Sequence, residues 1–357
     1  MPLRAFLDNK EIISIDLTEK QWNDLTKRKD EVSSLKLSCC KQNGILKNSK
    51  GIKYFAHVKD STCNWKKETI EQLQAKIEII KVCRENNWSV IPEFSTESLM
   101  ADILAVRSEK KIAFEIEWNR QTFEKIKEQQ EKFLESRIRG CWFLKAIPRE
   151  LKDYNNAVKA TNDIPAYKIS REAALNIFAQ LNQHKLLLRE FVDDLLNKKI
   201  KFNNVLRLIP QQKITIIFFE MRCWKCGAEQ HCYTVDRNLL TICKQNFRVA
   251  GSMWDGDDID KNPQVYNAVK SFLNTEKGEK IKIGVLKDRH SKTISENYLS
   301  HGCFYCDALF GDFPMLTQKM YASEDVNSIK YEVDLNLGDY RYSEHHWCYS
   351  KDGIFCE

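Results

Sequence analysis

The sequence predicts a mixed α/β (α+β) protein in which cysteine-rich segments flank a central sheet domain. Between about residues 67 and 144 the apolar residues change repeatedly between helical and strand spacing, in the order helix, three strands, helix, strand. Close cysteine pairs occur before this segment and again well after it. The first observation predicts the sheet domain, and the second predicts metal-binding modules on both sides of it in the chain.

The central segment begins with a helix at about residues 67–86, because Ile70, Leu73, Ile77 and Ile80 fall on one apolar stripe. The elements that follow are predicted as strands at 88–94, 101–106 and 112–118, a helix at 121–136 and a strand at 141–144. The charged residues between the second and third strands indicate a hairpin.

Apolar spacing also predicts that residues 170–199 are strongly helical. The whole chain divides into five predicted regions. The regions are a β-rich Cys/His module at 1–65, the central sheet domain at 66–147, a linker and helical segment at 148–205, a zinc-binding domain with an insertion at 206–320 and a C-terminal tail at 321–357.

Composition excludes few function classes but suggests a location. The net charge of +6 is compatible with a nucleic-acid partner and equally with a mildly basic soluble protein. The first ten residues contain no apolar signal core, and no run approaches ~18 apolar residues, so we expect a cytoplasmic protein without a membrane partner. The odd number of cysteines, 13, favours zinc ligands over a secreted disulfide framework.

Acidic side chains share one face of the third predicted strand. Alternation places Glu115 and Glu117 on one face and the apolar residues between them on the other. Asp102 stands beside Glu115 if the second and third strands pair, and Glu93 approaches from the end of the first strand. Mg²⁺ or Mn²⁺ held by such carboxylates can bind a phosphate and activate water. We therefore predict a phosphodiester-cleaving site, although an ordinary half-buried strand also explains the alternation.

An Asp, a strand turn and then Glu-x-Glu match the PD-(D/E)XK nuclease signature. Over about residues 35–145 the chain also resembles the CoiA-like competence nuclease family, through several blocks in the same order. These blocks are CC at 39–40, KNSKG at 47–51, FAH at 55–57, Cys63, ETIEQLQAK at 68–76, ADILA at 101–105, AFEIEWNRQT at 113–122 and RGCW at 139–142.

The resemblance implies a PD-(D/E)XK restriction-endonuclease-like core, with catalytic metal ligands at Asp102 and Glu115 and with Glu71 in the first-helix motif. The chain departs from the family at two positions. Glu117 stands where Gln is usual, and Gln72 stands where His is usual. A catalytically degenerate member is therefore the alternative to an active nuclease.

Two cysteine pairs have the spacing of a four-cysteine zinc site. Cys223 with Cys226, and Cys303 with Cys306, each form a C-x-x-C knuckle. Four thiolates leave no position for water, so zinc bound there would be structural. Two buried cysteine pairs without metal are the alternative.

A second candidate zinc site draws most of its support from the resemblance. Its residues are Cys39, Cys40, His57 and Cys63. Packing cysteines and a hydrogen-bonded core histidine would explain the same residues.

Four basic residues near the core are predicted to contact DNA phosphates: Lys47, Lys50, Lys53 and Arg120. Solvated surface cations are the alternative. The predicted function is a Mg²⁺-dependent DNA nuclease in DNA uptake, recombination or defence against foreign DNA, with a protein partner in such a complex as a further expectation. The alternatives are a degenerate protein that binds nucleic acid or a partner through its zinc domain, and a nuclease that acts on RNA.

Overall fold

A computed structural model describes residues 2–27, 35–58, 63, 68–153, 157–172, 176–182, 184–236, 238–244, 246–248, 259–322 and 327–357. The chain forms two compact units. Unit 1 contains Met1–Asn204 and His345–Phe355, and unit 2 contains Val205–Glu344 and the last two residues. The described part has a mixed α/β structure with six α-helices and several sheets. No helix within the described ranges is long and apolar enough to span a membrane.

Unit 1 begins with an N-terminal module, residues 2–58 with Cys63, whose secondary structure is mainly short strands. Its elements are β1 (Arg4–Leu7), β2 (Lys10–Ile13), α1 (Glu19–Lys27), β3 (Lys36–Leu37), β4 (Gly44–Ser49) and β5 (Ile52–His57). Strands β1 to β3 form one small sheet, and β4 and β5 form a hairpin. Trp22 and Phe55 pack together in the core of this module.

The rest of unit 1 contains a seven-stranded sheet and three helices. The elements are α2 (Ile70–Glu85), β6 (Ser89–Ser95), β7 (Met100–Arg107), β8 (Lys110–Glu117), α3 (Phe123–Glu135), β9 (Arg139–Leu144), β10 (Ala166–Arg171), β11 (Ile177–Leu181), β12 (His184–Leu187) and α4 (Leu188–Leu196). The strand order is β12-β11-β10-β9-β8-β7-β6, and β9 runs parallel to both of its neighbours. The predicted order of helix, three strands, helix and strand is therefore confirmed.

Helices cover both faces of this sheet. On one face, Leu73 and Ile80 of α2 share a core with Phe114 of β8 and Phe191 of α4. On the other face, Phe133 of α3 packs in a second core with residues of β7, β8 and β9. Thr69 caps α2 by accepting a hydrogen bond from the backbone N–H of Gln72, which explains the start of the helix at Ile70. Residue 67, where we predicted this helix to begin, lies outside the described residues.

One prediction is wrong: residues 170–199 are not a continuous helix. The segment contains the end of β10 and all of β11 and β12, and among its described residues only α4 is helical. Ile177, Ala179 and Leu181 are buried at every second position, which is strand spacing, and β11 pairs with both β10 and β12. Within this segment the apolar spacing corresponds to a helix from Leu188 to Leu196.

Unit 2 contains a three-stranded sheet of order β15-β14-β20, two β-hairpins and two helices. Its elements are β14 (Gln211–Arg222), β15 (Glu229–Val235), β16 (Asn238–Leu240), β17 (Asn246–Arg248), α5 (Pro263–Leu273), β18 (Lys287–Ser291), β19 (Glu296–Ser300), α6 (Asp312–Ala322) and β20 (Ile329–Asn336). The chain leaves unit 1 along β13 (Ile200–Arg207) and returns along β21 (Arg341–Tyr349). Residues 321–357, the predicted tail, therefore supply β20 to unit 2 and most of β21 to unit 1.

Candidate functional site

A cleft of about 610 Å³ opens in unit 1 where β7 begins and β8 ends. The N-terminal module, the segment leading into α2, and α3 also contribute to its walls. Five acidic residues line it: Glu68, Asp102, Glu115, Glu117 and Glu128. This density of carboxylates distinguishes the cleft as a candidate site for a cation or for acid–base chemistry.

The hairpin of β7 and β8 brings Asp102 and Glu115 together. Its ladder pairs Ile103 with Phe114, the residues directly next to the two acids. The backbone N–H of Ile116 donates to Asp102 Oδ2 at 2.9 Å, which fixes the carboxylate against β8. Phe114 and Ile116 are fully buried in the core shared with α2. The acids at the alternate positions of β8 therefore face the cleft.

Burial and repulsion among the acids both act on the carboxyl of Glu115. Burial raises the pKa of its carboxyl well above the usual range, and the charges of Asp102 and Glu117 raise it further. Glu117 accepts a hydrogen bond from Gln121 at 3.1 Å. A divalent cation between these groups would relieve the repulsion and favour the ionised form of Glu115.

The structure adds Lys76, which the sequence analysis did not identify. Its side chain is fully buried, and its ammonium contacts Asp102 Oδ1 at 2.8 Å, Glu93 Oε1 at 3.6 Å and the carboxylate of Glu68. Although burial alone would lower its pKa, these three acids raise the pKa of Lys76 well above the usual range. Lys76 therefore remains protonated at neutral pH. Its position three residues after Leu73 and four before Ile80, on the apolar stripe of α2, is the sequence signal that could have identified it.

Glu93 lies at the edge of the same cluster, in a strained backbone conformation. Its φ is 43°, in the left-handed region, and β6 and β7 form ladder pairs on both sides of it but none at Glu93 itself. Its Oε1 accepts from the backbone N–H of Leu3 at 3.1 Å, and Oε2 has no hydrogen-bond partner among the described residues. Burial raises the pKa of Glu93 to about 7, against the opposing effect of Lys76.

Gln72 is one of the two departures from the family predicted from the sequence, in which His is usual at this position. Its side-chain amide donates to the backbone carbonyl of Ile116 at 2.7 Å and also lines the cleft. The amide therefore holds the end of β8, between the two acids of that strand, against α2. A neutral imidazole could make the same kind of donor contact, but Gln72 adds no group that titrates near neutral pH.

Glu71 is not brought into the cluster of acids. Its carboxylate forms an ion pair with Arg171 of β10 and is not part of the cleft lining. The pKa of Glu71 is lowered, first by its own backbone N–H and then by contacts that include the Arg171 guanidinium. The structure therefore assigns this residue a contact between α2 and the sheet.

The four predicted DNA-contacting residues are spread over the surface of unit 1. Lys47 and Lys50 are exposed on the β4–β5 hairpin, and Arg120 is exposed just after β8. Lys53 instead forms an ion pair with Glu19 at 2.7 Å. Three of the four are therefore available to solvent, while Lys53 is engaged within the N-terminal module.

Two cysteine-rich clusters that each lie within one unit have the geometry of metal sites. In unit 2, the Sγ atoms of Cys223 and Cys306, and likewise those of Cys226 and Cys303, are 3.7 Å apart. Thiolates around a tetrahedral zinc with bonds of ~2.3 Å would be separated by about 3.8 Å. Although burial opposes it, backbone N–H groups of the first knuckle lower the pKa of Cys223 to about 6. These four cysteines could therefore hold a metal such as zinc.

The second cluster belongs to the N-terminal module. Its four side chains converge, with Cys39 Sγ 3.3 Å from His57 Nε2, 3.7 Å from Cys40 Sγ and 3.9 Å from Cys63 Sγ. Burial lowers the pKa of His57, which favours the neutral imidazole that ligates metals. Cys39 and Cys63 also line the acidic cleft, so this cluster forms part of its wall.

Comparison of the chain with protein-family models and with curated proteins finds no match. The resemblance to CoiA-like nucleases therefore stays a prediction, and the arguments about function rest on the geometry of the cleft and of the two cysteine clusters.

Proposed function

We propose that this protein is a divalent-cation-dependent deoxyribonuclease with its active site in the cleft of unit 1. The observation that carries the proposal is the pairing of Asp102 and Glu115 in one cleft, with the buried Lys76 in contact with Asp102. The order of α2, β6 to β8, α3 and β9 supports a PD-(D/E)XK-like core, because the acids lie on the second and third strands of that order, as the signature requires.

The acids of the cleft fit a hard divalent cation. Asp102 and Glu115 would hold it. Glu117 could take part because it lies on the same strand, two residues after Glu115, and lines the same cleft. The raised pKa of Glu115 is a feature that a cation would compensate. When bound, Mg²⁺ or Mn²⁺ would neutralise charge on the phosphate and lower the pKa of a water molecule.

Lys76 supplies the charge that the signature often provides with a lysine on the third strand. Glu117 stands at that strand position, whereas Lys76 contacts Asp102 from α2. Because its pKa is raised, Lys76 would act as a fixed positive charge and not as a general base. Its charge would favour a negatively charged phosphate in the cleft.

Cleavage of DNA by variants tests this proposal. Asp102→Asn and Glu115→Gln should abolish Mg²⁺-dependent cleavage, and Glu117→Gln should retain much of it. Glu128→Gln is the matched control, because Glu128 lines the same cleft but pairs with Lys132 on α3. Linear, circular and single-stranded DNA and RNA should be compared at matched folding, checked by circular dichroism. Unchanged cleavage by both Asp102→Asn and Glu115→Gln would contradict the proposal, and preference for RNA would change its substrate.

One observation favours a second candidate, a nuclease-like protein that binds without cleaving. The ammonium of Lys76 already lies 2.8 Å from Asp102, so the folded protein compensates part of its buried negative charge without a metal. A degenerate site should show no stabilisation by Mg²⁺, whereas the proposed nuclease should unfold at a higher temperature when Mg²⁺ is added. Thermal unfolding with and without Mg²⁺ separates the two.

A further inference from the structure

Both metal-binding knuckles of unit 2 present aromatic side chains to solvent. The first knuckle comprises residues 223–228 and the second residues 303–308. Trp224 is 73% exposed, Tyr305 58% and Phe304 48%. Large aromatic side chains are costly to leave in water, and a group of them on one feature of a surface commonly marks a binding site.

The two knuckles have the same backbone structure. In each, the N–H of the first cysteine donates to the carbonyl five residues later at 2.9 Å, and the residue four positions on donates back to the cysteine carbonyl at 3.0 Å. Trp224 and Phe304 therefore occupy equivalent positions, each directly after the first cysteine of its knuckle. The shared cluster of thiols keeps the two knuckles adjacent.

Hydrogen bonds and ring contacts hold these aromatic side chains in place. The indole Nε1 of Trp224 donates to the backbone carbonyl of Leu309 at 2.8 Å, although most of the ring remains exposed. The backbone N–H of Phe304 donates to the buried Gln230, and the Phe304 and Tyr305 rings meet edge to face at 5.1 Å. Rings that are already ordered lose little conformational entropy when a planar ligand stacks on them.

The charges beside the rings favour an anionic ligand. Arg222, Lys225 and Lys282 are exposed around the knuckles, and the Lys282 ammonium lies 5.8 Å from the centre of the Phe304 ring. Glu229 opposes Arg222 across the β14–β15 ladder.

The acid within the second knuckle is already neutralised. Asp307 pairs with Lys287 at 2.7 Å and with Arg289 at 2.6 Å. Cations therefore exceed uncompensated acids on this surface, a pattern that matches phosphates better than an acidic protein surface.

We infer that the knuckle surface, formed by Trp224, Phe304, Tyr305 and the neighbouring cations, binds single-stranded nucleic acid by stacking of its bases. Exposed planar rings interleaved with cations are how proteins contact unpaired bases and their backbone. A duplex covers its base faces, so it offers the rings nothing to stack on. The inference rests on the proposed function in taking DNA as the partner, and it deepens that function by adding a strand-binding surface outside the cleft.

Binding of a fluorescein-labelled 12-nucleotide oligothymidylate to the full-length, zinc-loaded protein tests the inference. Fluorescence anisotropy in buffer without Mg²⁺ measures affinity while cleavage is prevented. Trp224→Ala and Phe304→Ala should each weaken binding about tenfold or more, since stacking on an aromatic ring contributes strongly per base. Trp224→Phe should restore most of the affinity. Tyr321→Ala is the matched control, because Tyr321 is an equally exposed aromatic residue of unit 2 that lies on α6.

Zinc content, measured for each variant, shows whether the knuckles remain intact. Lys225→Gln should also reduce the dependence of log affinity on log salt concentration by about 0.7, as expected for one phosphate contact on a single strand. Unchanged affinity in zinc-loaded Trp224→Ala and Phe304→Ala would overturn the inference. It would indicate instead that the exposed rings bind a protein partner. Binding of a 12-base-pair duplex as tightly as the single strand would overturn it as well. The readout needs no cleavage, so failure of the nuclease proposal and failure of this inference are distinguishable.

Discussion

Replacing Lys76 with methionine removes a buried positive charge while it keeps a long, unbranched side chain. Three carboxylates, those of Glu68, Glu93 and Asp102, would then remain without the cation that they share. We expect the folded state to lose stability, because the desolvated acids repel one another and the positive charge of Lys76 no longer compensates this repulsion.

The size of this loss follows from the contact distances. At an effective dielectric constant of about 20, Coulomb's law gives about 6 kcal/mol for unit charges 2.8 Å apart, the separation of Lys76 and Asp102. The cost of removing both ions from water opposes this attraction. Removal of one partner from a buried ion pair costs about 3–5 kcal/mol, and we expect a loss in that range for Lys76→Met at pH 8.

The loss should be smaller at pH 5. Glu93 has a pKa of about 7, and the pKa of Glu115 is raised well above its usual range. Without Lys76 these values would rise further, so protonation at low pH would remove much of the repulsion. The difference in free energy of unfolding between wild type and Lys76→Met should therefore become smaller as the pH falls.

Urea unfolding followed by tryptophan fluorescence, in buffer with zinc and without Mg²⁺, measures the effect at both pH values. Lys81→Met is the control, since Lys81 is an exposed lysine of the same helix and its replacement should change the free energy of unfolding by less than about 0.5 kcal/mol. Equal losses for the two variants, or a Lys76→Met loss that does not depend on pH, would refute the argument.

Three further predictions concern other residues. Glu93 has a pKa of about 7 in the folded protein and 4.5 in the unfolded chain, so its loss of a proton destabilises the fold as the pH rises through this window. In urea unfolding, the free energy of unfolding of Glu93→Gln should therefore rise by up to about 3 kcal/mol relative to wild type between pH 4.5 and 8. A difference between the two proteins that stays constant with pH would contradict this. Glu71→Gln breaks a partly exposed ion pair with Arg171, so the rate of DNA cleavage should stay within twofold of wild type and the free energy of unfolding should change by less than about 1 kcal/mol. A large loss of cleavage would show instead that Glu71 acts in the active site. Metal analysis should show that Cys226→Ser loses the metal of the knuckles while Cys232→Ser, at a buried cysteine outside the cluster, retains it; retention by both would exclude this metal site.

The sequence predicted the sheet elements around the cleft because short-range patterns determine them. Alternation along β8 indicated which residues face the core, and the charged turn at its start indicated pairing with β7. The proximity of Asp102 and Glu115 follows from those two facts. The C-x-x-C spacing likewise predicted the four cysteines that converge in unit 2, whereas the cluster in the N-terminal module was predicted mainly from the resemblance.

Lys76 and Glu68 were missed because contacts between distant parts of the chain define their roles. A lysine within a helix is ordinarily solvated, and local sequence does not reveal that β6 and β7 place acids beside it. Residues 170–187 were predicted as helix for a related reason. Ile177 and Leu181, four residues apart, fit a helical stripe as well as a strand, and only pairing with neighbouring strands decides between the two.

The interrupted path of the chain through unit 1 has a consequence for its synthesis. Trp347 and Tyr349 belong to the core of unit 1, where Trp347 packs on Tyr167 at 5.4 Å and the Tyr349 hydroxyl donates to Asp194 at 2.8 Å. A ribosome must first make residues Val205–Glu344 of unit 2, and at roughly 5–20 residues per second this takes from several seconds to about half a minute. During that interval the cleft residues are present but their unit lacks part of its core. A nascent chain could therefore complete the core of unit 1 only after the knuckles have been translated.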